Sequence, residues 1–272
     1  MIDGLSVSIV VYRPATAQLE RTLLSLGEAG AILRARDTDS PVDLFLVDNG
    51  GLPDVSPMLS MLADHGIRST VISGQGNVGY GRGHNLAIQA ARRRFHLVLN
   101  PDVDLAPDAL AAACAFLDLH ADVGLLTPYI ADGAGQIQYL CRRYPTLVDL
   151  FVRGFLPQRW RSRFDGRLAR YEMRAQINDR DIIWDPPIVS GCFMIFRTEV
   201  LKQLRGFDPR YFLYFEDYDL SMRTHQVSRI AYVPSVRVVH HGGGASRKGF
   251  AHIRMFAASA FKFFNRFGWR AW

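Results

Sequence analysis

Short β-branched runs alternate with segments of helical period over the first 120 residues, and this alternation confines the chain to one class of fold. Leu5–Tyr12 reads LSVSIVVY, a run suited to a buried parallel strand. Leu19, Leu23 and Leu26 then recur at helical spacing. Val42–Val47 is a second strand, ending at Asp48-Asn49-Gly50-Gly51, a strong turn signal. A helix over Pro57–His65 and a strand at Thr70–Ile72 follow. Next come a glycine-rich loop from Gly74 to Gly83, a helix over His84–Arg94 and a strand at Phe95–Leu99. That strand stops at Asn100-Pro101-Asp102, because proline cannot continue a ladder. Pro107–His120 is an alanine-rich helix with proline in its first turn. The pattern predicts an α/β fold: a mostly parallel central sheet flanked by helices on both faces. Such sheets bind ligands beyond the carboxyl ends of their strands. Asp48, the glycine loop and Asn100–Asp104 all stand there.

The second half is less regular. Asp132-Gly133 and Gly135 suggest a hairpin turn. Residues 142–182 carry many arginines and Trp160 without a clear period, and read as a variable insert or acceptor-side segment. Strands are expected at Ile188–Phe196 and Val236–His240, and helices at Thr198–Leu204 and Glu216–His225. Residues 250–272 combine Phe250, Ile253, Phe256, Phe261, Phe264 and Phe267 with Arg254, Lys262, Arg266 and Arg270; Lys248 precedes them. Three readings of that segment stay open: an interfacial helix at a membrane, a core-packing helix with a solvated basic face, or a dimer contact.

With 272 residues, 49% of them hydrophobic, the chain buries a substantial core. Its formal charge of +6 suits phosphorylated ligands or an anionic membrane surface. No long basic stripe with interleaved aromatics exists, so nucleic acid is not an expected partner. Arg92-Arg93-Arg94, the densest basic run, reads as a solvated helix end. Cys114, Cys141 and Cys192 are odd in number and widely spaced, which indicates neither a zinc site nor a disulfide framework and suits a reducing cytoplasm. Residues 1–12 lack a signal-peptide pattern, and no apolar run approaches the length of a bilayer span.

Four clusters carry chemistry. Asn100-Pro101-Asp102-Val103-Asp104 puts carboxylates at a strand end, where one or two of them with a diphosphate satisfy a hard divalent cation; a solvated turn is the alternative. Phe215-Glu216-Asp217-Tyr218-Asp219 sets three acids among aromatics. Aromatic surroundings desolvate a carboxylate and raise its pKa toward that of a useful base, while acids also simply favour a helix start. His240-His241-Gly242-Gly243-Gly244 offers an imidazole at a strand end, and only one of the two histidines can face a site. Gly74-Gln75-Gly76-Asn77-Val78-Gly79 matches GxGxxG, although it follows the third strand rather than the first.

Together these clusters resemble the family 2 glycosyltransferases of GT-A fold, most closely the rhamnosyltransferase-like branch that builds bacterial surface polysaccharides. The resemblance spans roughly residues 5–245 and rests on VSIVVY (7–12), VDNG (47–50), GNVGYGRGHN (76–85), LNPDV (99–103), SGCFMIFR (190–197), GFDPRYFLYFEDYDLSMR (206–223) and HHGGGAS (240–246). It implies a glycosyltransferase domain over 1–245, with a nucleotide-sugar-binding half at 1–128 and an acceptor and catalytic half at 129–245, then a C-terminal helical segment at 246–272. It implies that Val11, Tyr12, Arg13 and Asp48 hold nucleobase and ribose. Asn77 and Gly79 would line the nucleotide pocket. Asn100–Asp102 stands where the family carries its DxD motif, so Asp102 would hold Mg²⁺ or Mn²⁺, with Asn100 a neutral substitute for the first acid. His240, or else His241, would complete that site, and Gly191 would admit sugar or acceptor. Asp217 would be the base of an inverting transfer, with Glu216 the lesser candidate. The implied partners are a nucleotide-sugar donor, dTDP-rhamnose first, and a glycan or polyprenyl-diphosphate-linked acceptor. The implied location is cytoplasmic, with peripheral contact at the inner face of the plasma membrane. Two rival readings remain: a dinucleotide-dependent oxidoreductase built on Gly74–Gly79, and a sugar-nucleotide-binding partner without turnover.

Overall fold

The computed structural model describes residues 2–36, 40–242 and 249–272. Its first half runs β1 (Ile2–Val11), α1 (Thr16–Arg36), β2 (Val42–Asp48), α2 (Ser56–Asp64), β3 (Ile67–Ile72), α3 (Tyr80–Ala90), β4 (Arg93–Leu99), β5 (Val103–Leu105) and α4 (Ala109–Leu119). The second runs β6 (Val123–Ala131), α5 (Leu147–Phe155), α6 (Gln158–Arg161), a 3₁₀ turn (Ser162–Phe164), α7 (Asp165–Tyr171), β7 (Ile183–Trp184), β8 (Phe193–Arg197), α8 (Thr198–Gln203), α9 (Glu216–Thr224), β9 (Arg229–His240) and α10 (Phe250–Phe267).

One sheet carries all nine strands in the order β3-β2-β1-β4-β8-β6-β9-β5, with β7 paired to β9. The first four strands are parallel. β8 runs antiparallel to both β4 and β6, so its amino end lies beside the carboxyl end of β4. β9 is parallel to β6, so it too ends at that edge. The expected division at 128 falls within β6, and the two halves share this sheet.

Alternation along β1 explains how both faces are covered. Leu5, Val7, Ile9 and Val11 enter the larger core together with residues of α1, α2 and α4. Ser8 points the other way, toward α3, where its hydroxyl bonds His84 Nδ1 at 2.8 Å and His96 Nε2 at 2.9 Å. Burial pushes both imidazoles down, His96 to about 3, so they stay neutral. A second core on that face joins Ile88, Phe196, Phe207 and Leu220. The three cysteines are buried and form no disulfide; burial pushes the Cys141 and Cys192 thiols up to about 12.

The structure corrects several expected boundaries. α3 begins at Tyr80 rather than His84 and ends before Arg92. Arg93 is no solvated helix end: it opens β4, is 7% exposed and pairs with Asp43 Oδ2 at 2.6 Å. β8 covers only the last part of the expected strand, and Ile188 instead makes an isolated bridge to Arg142. β9 extends twelve residues, back to Arg229. The turn at Asp132 closes as expected, with Asp132 N–H on the Gln136 carbonyl at 2.8 Å. The aperiodic segment 142–182 holds α5 to α7, and α5 starts with a capping box between Thr146 and Asp149. α10 buries Phe263 and Phe264 completely, in a cluster with Leu150, Tyr211 and Phe215. Among the described residues no helix is long and apolar enough to cross a membrane.

Candidate active site

The parallel strands deliver the first group of residues. Val11 is buried, and its carbonyl accepts the Asn49 N–H at 2.9 Å. Tyr12 follows at the rim, 51% exposed, with the Arg13 guanidinium 5.4 Å from its ring centroid. Asp48 ends β2 and accepts the Gly50 and Leu52 N–H groups on Oδ1 at 2.7 and 3.3 Å. The Asn49 amide reaches the Gly79 carbonyl at 3.0 Å, which ties the β2 turn to the glycine loop. Asn77 Oδ1 accepts the Gly79 N–H at 3.1 Å. Gly79 has φ +90, and any side chain there would strike the Phe212 carbonyl. Its lack of a side chain therefore serves docking of the 206–215 loop, on which α9 hangs. Gly74 and Gly76 face open space.

A second group meets where β4, β5 and β9 end. Asn100 donates its N–H to the Cys192 carbonyl at 2.9 Å. Val103 stands opposite His240 in the β5–β9 pair, which brings Asp102 beside that histidine. His240 Nε2 lies 3.6 Å from Asp102 Oδ1, and His240 Nδ1 lies 2.9 Å from Gln138 Oε1. The amide oxygen can only accept, so Nδ1 carries the proton and Nε2 keeps a lone pair toward Asp102. Burial pushes the His240 pKa down, against the pull of Asp102. Asp102 Oδ1 is buried and has no hydrogen-bond partner among the described residues. A Cβ at Gly242 would collide with both Asp102 and His240, so bare backbone closes this corner. His241 turns away to Asp104 at 2.7 Å, which removes both from the corner. Gly243–Ser246 and Lys248 lie outside the described residues.

The third group is the start of α9. Asp217 accepts the Gly191 N–H on Oδ2 at 3.0 Å and the Tyr218 N–H on Oδ1 at 2.9 Å. Desolvation nevertheless pushes its pKa up. Glu216 is 6% exposed, and its Oε2 has no partner among the described residues. Burial first, and the Asp217 charge second, push Glu216 up to about 8. Phe215, with φ +65, and Tyr214, with φ +70, make the bend that presents both acids.

Tyr80 joins the second and third groups. Its hydroxyl donates to the Gly191 carbonyl at 2.6 Å. Burial pushes the phenol well up, and Glu216, Cys192, Asp217 and Asp102 push it further. Gly191 and Cys192 thus connect Asp217 to the end of β4 that carries Asn100, and neither Asp102 nor Asp217 is locked in a pair with Arg or Lys among the described residues. Sequence reasoning passed over Tyr80 and Gln138; only the GNVGYGRGHN run hinted at Tyr80.

The model of the family described as "Glycosyltransferase like family 2" matches residues 16–259. The chain belongs to this family. An N-acetylglucosaminyl-diphospho-decaprenol L-rhamnosyltransferase of Mycobacterium tuberculosis (strain H37Rv) is 30% identical over 253 residues, covering 89% of this chain and 77% of the relative. Rhamnosyltransferase WbbL of Escherichia coli (strain K12) is 25% identical over 221 residues, covering 78% and 79%. The crystal structure of GalNAc-T7 with UDP, GalNAc and Mn²⁺ superposes with a TM-score of 0.61 at 14% identity, over 90% of this chain and 44% of that one. The fold is accordingly the GT-A fold, and this glycosyltransferase carries its Asp102–His240 corner and its Glu216-Asp217 pair on one sheet edge. Family membership removes the oxidoreductase reading of Gly74–Gly79.

Proposed function

We propose that this glycosyltransferase moves L-rhamnose from dTDP-rhamnose to a hydroxyl of a prenyl-diphosphate-linked sugar, with inversion at the anomeric carbon. The observation that carries this reading is the place of Asp217. It is desolvated yet oriented by two backbone N–H groups, and Gly191, which holds it, directly precedes Cys192, whose carbonyl accepts the Asn100 N–H at the end of β4. The names of both relatives support rhamnosyl transfer, and the name of the first supports a lipid-linked acceptor.

Asp217 takes the proton of the acceptor hydroxyl. The freed oxygen attacks the anomeric carbon, and the bond from that carbon to the nucleoside diphosphate breaks on the opposite face. Burial keeps Glu216 protonated at neutral pH, so Asp217 ionises beside a neutral neighbour. Tyr12, Arg13 and Asp48 receive the base and ribose, with Asn77 near the same turn. The buried, unpartnered Asp102 Oδ1 and the lone pair of His240 fit a divalent cation completed by diphosphate oxygens. When bound, Mg²⁺ or Mn²⁺ neutralises charge on the leaving diphosphate. Asn100 is a neutral amide beside that corner, and its oxygen can face the diphosphate or the ion.

We also assign the C-terminal segment to the inner face of the plasma membrane. Phe250 is 80% exposed and Trp272 81%, with Arg254 and Arg270 nearby in sequence. That mixture suits an anionic interface.

A thermal-shift panel of dTDP-, UDP- and GDP-sugars with Mn²⁺ tests the donor, followed by a transfer assay onto a prenyl-diphosphate-linked N-acetylglucosamine. Selective stabilisation by dTDP-rhamnose and an inverted rhamnosyl product are expected. Stabilisation by another nucleotide sugar alone, or binding without product, overturns the reading.

A further inference from the structure

The flank of Asp217 built by α5 and α7 holds more positive charge than its own acids balance. Arg142 bonds back to Ile188 through its backbone, and its side chain is 5% exposed. Its guanidinium donates one hydrogen bond, to the Cys141 carbonyl at 3.1 Å, and comes no closer than 4.0 Å to Glu172. Glu172 is already bonded by Arg174 at 2.7 Å and stands 3.5 Å from Arg153. Three guanidiniums thus surround one carboxylate, and among the described residues only Arg174 forms an ion pair with a second acid, Asp165 at 2.9 Å. Burying a guanidinium so poorly matched is costly. Burial, and then Arg153, push Arg142 below the usual arginine value.

This cluster adjoins the base. Tyr218, next to Asp217 in the chain, shares a 2.8 Å hydrogen bond with Tyr171, and the Arg142 guanidinium lies 5.8 Å from the Tyr171 ring centroid. Burial dominates Asp217, with Arg142 the last of the groups that pull it back down; Tyr218, Tyr171 and Glu172, ahead of Asp217, hold Arg153 above the usual arginine value. Arg153 is 43% exposed, so a ligand reaches it from solvent with Arg142 behind.

We propose that Arg142 and Arg153 form an anion subsite that grips the acceptor's diphosphate on the flank of Asp217. The inference rests on the lipid-linked acceptor proposed above. Guanidinium forks match phosphate oxygens in pairs, and an incoming diphosphate supplies the charge that Glu172 alone does not. A donor diphosphate has the same chemistry, but it has its own corner at Asp102 and His240.

The test is steady-state kinetics on the full chain with two acceptors: N-acetylglucosamine diphosphate on a ten-carbon prenyl chain, and the same sugar on a neutral octyl chain. Losing a charge-assisted contact of this kind corresponds to about 10–100-fold. Arg153→Gln should therefore raise KM for the diphosphate acceptor about 10–100-fold more than KM for the neutral one, with the donor KM following the neutral acceptor. Arg142→Lys, which keeps charge but loses the fork, should show the same ordering, and melting curves verify that each variant folds. Equal losses on both acceptors, or a rise confined to the donor KM, overturn the subsite. If wild type turns over neither acceptor, the acceptor reading falls. The subsite is then decided by calorimetry with inorganic pyrophosphate in metal-free buffer: binding lost in Arg153→Gln supports it, and binding retained overturns it.

Discussion

The two regions of this glycosyltransferase that we assign to donor and acceptor, the donor edge and the acceptor flank, are built on opposite principles. On the donor edge, polar side chains are tied to backbone: Asp48 to the Gly50 and Leu52 amides, Asn49 to the Gly79 carbonyl, and Asn77 to the Gly79 amide. Strand register sets their places before any ligand arrives. On the acceptor flank, ionisable groups are buried and short of partners among the described residues: Glu216 has an orphan oxygen, and Arg142 makes one side-chain hydrogen bond. Those groups hold free energy in reserve for a ligand that supplies the missing charge or proton. One region is shaped to bind; the other is poised to react.

The sharpest way to break that contrast is Asp217→Asn. Losing a placed base costs about 10²–10⁴-fold in rate, so transfer should fall by that factor while dTDP-sugar affinity stays near wild type. A comparable fall in donor affinity, read by calorimetry, would erase the distinction between the regions. Next in size is Gln138→Leu. It removes the acceptor that orients His240, and such supporting bonds are worth about 10–100-fold in metal affinity or activity. Mn²⁺-dependent nucleotide binding should weaken by that factor; unchanged titrations would remove His240 from the metal corner. The smallest effect concerns Glu216 and pH. Its folded value is about 8 against an ordinary 4.5, so the folded chain keeps a proton that the unfolded chain has lost. That stabilisation is complete below pH 4.5 and is lost as pH rises through about 8. Glu216→Gln should flatten the decline and melt above wild type at alkaline pH, by roughly 2–4 °C for each kcal/mol relieved. Parallel melting curves for the two proteins from pH 5 to about 9 would show that the buried carboxyl is not held neutral.

The two regions also differed in how far they could be read from sequence. Parallel strands buried on both faces are continuous apolar runs, so β1, β2 and β4 were legible, and with them the turn residues that end them. α3 was placed late because Gly79, at positive φ, starts the helix inside what reads as a glycine loop. Arg93 misled because nothing in a basic triplet reveals an acidic partner fifty residues away. The acids at 216–217 and the histidines at 240–241 stood out as clusters. Tyr80 and Gln138 did not, since their meaning lies in bonds to Gly191 and His240, 111 and 102 residues distant. Arg142 and Arg153 sit in a stretch with no period, where only tertiary contacts separate a buried guanidinium from a solvated one.

The most direct measurement is a crystal structure of Asp217→Asn with Mn²⁺ and dTDP-rhamnose, the ion located by its anomalous signal. Manganese is expected between Asp102 and His240, the thymine ring against Tyr12, and the anomeric carbon facing residue 217. Manganese bound elsewhere, or a rhamnose turned away from α9, would contradict this arrangement.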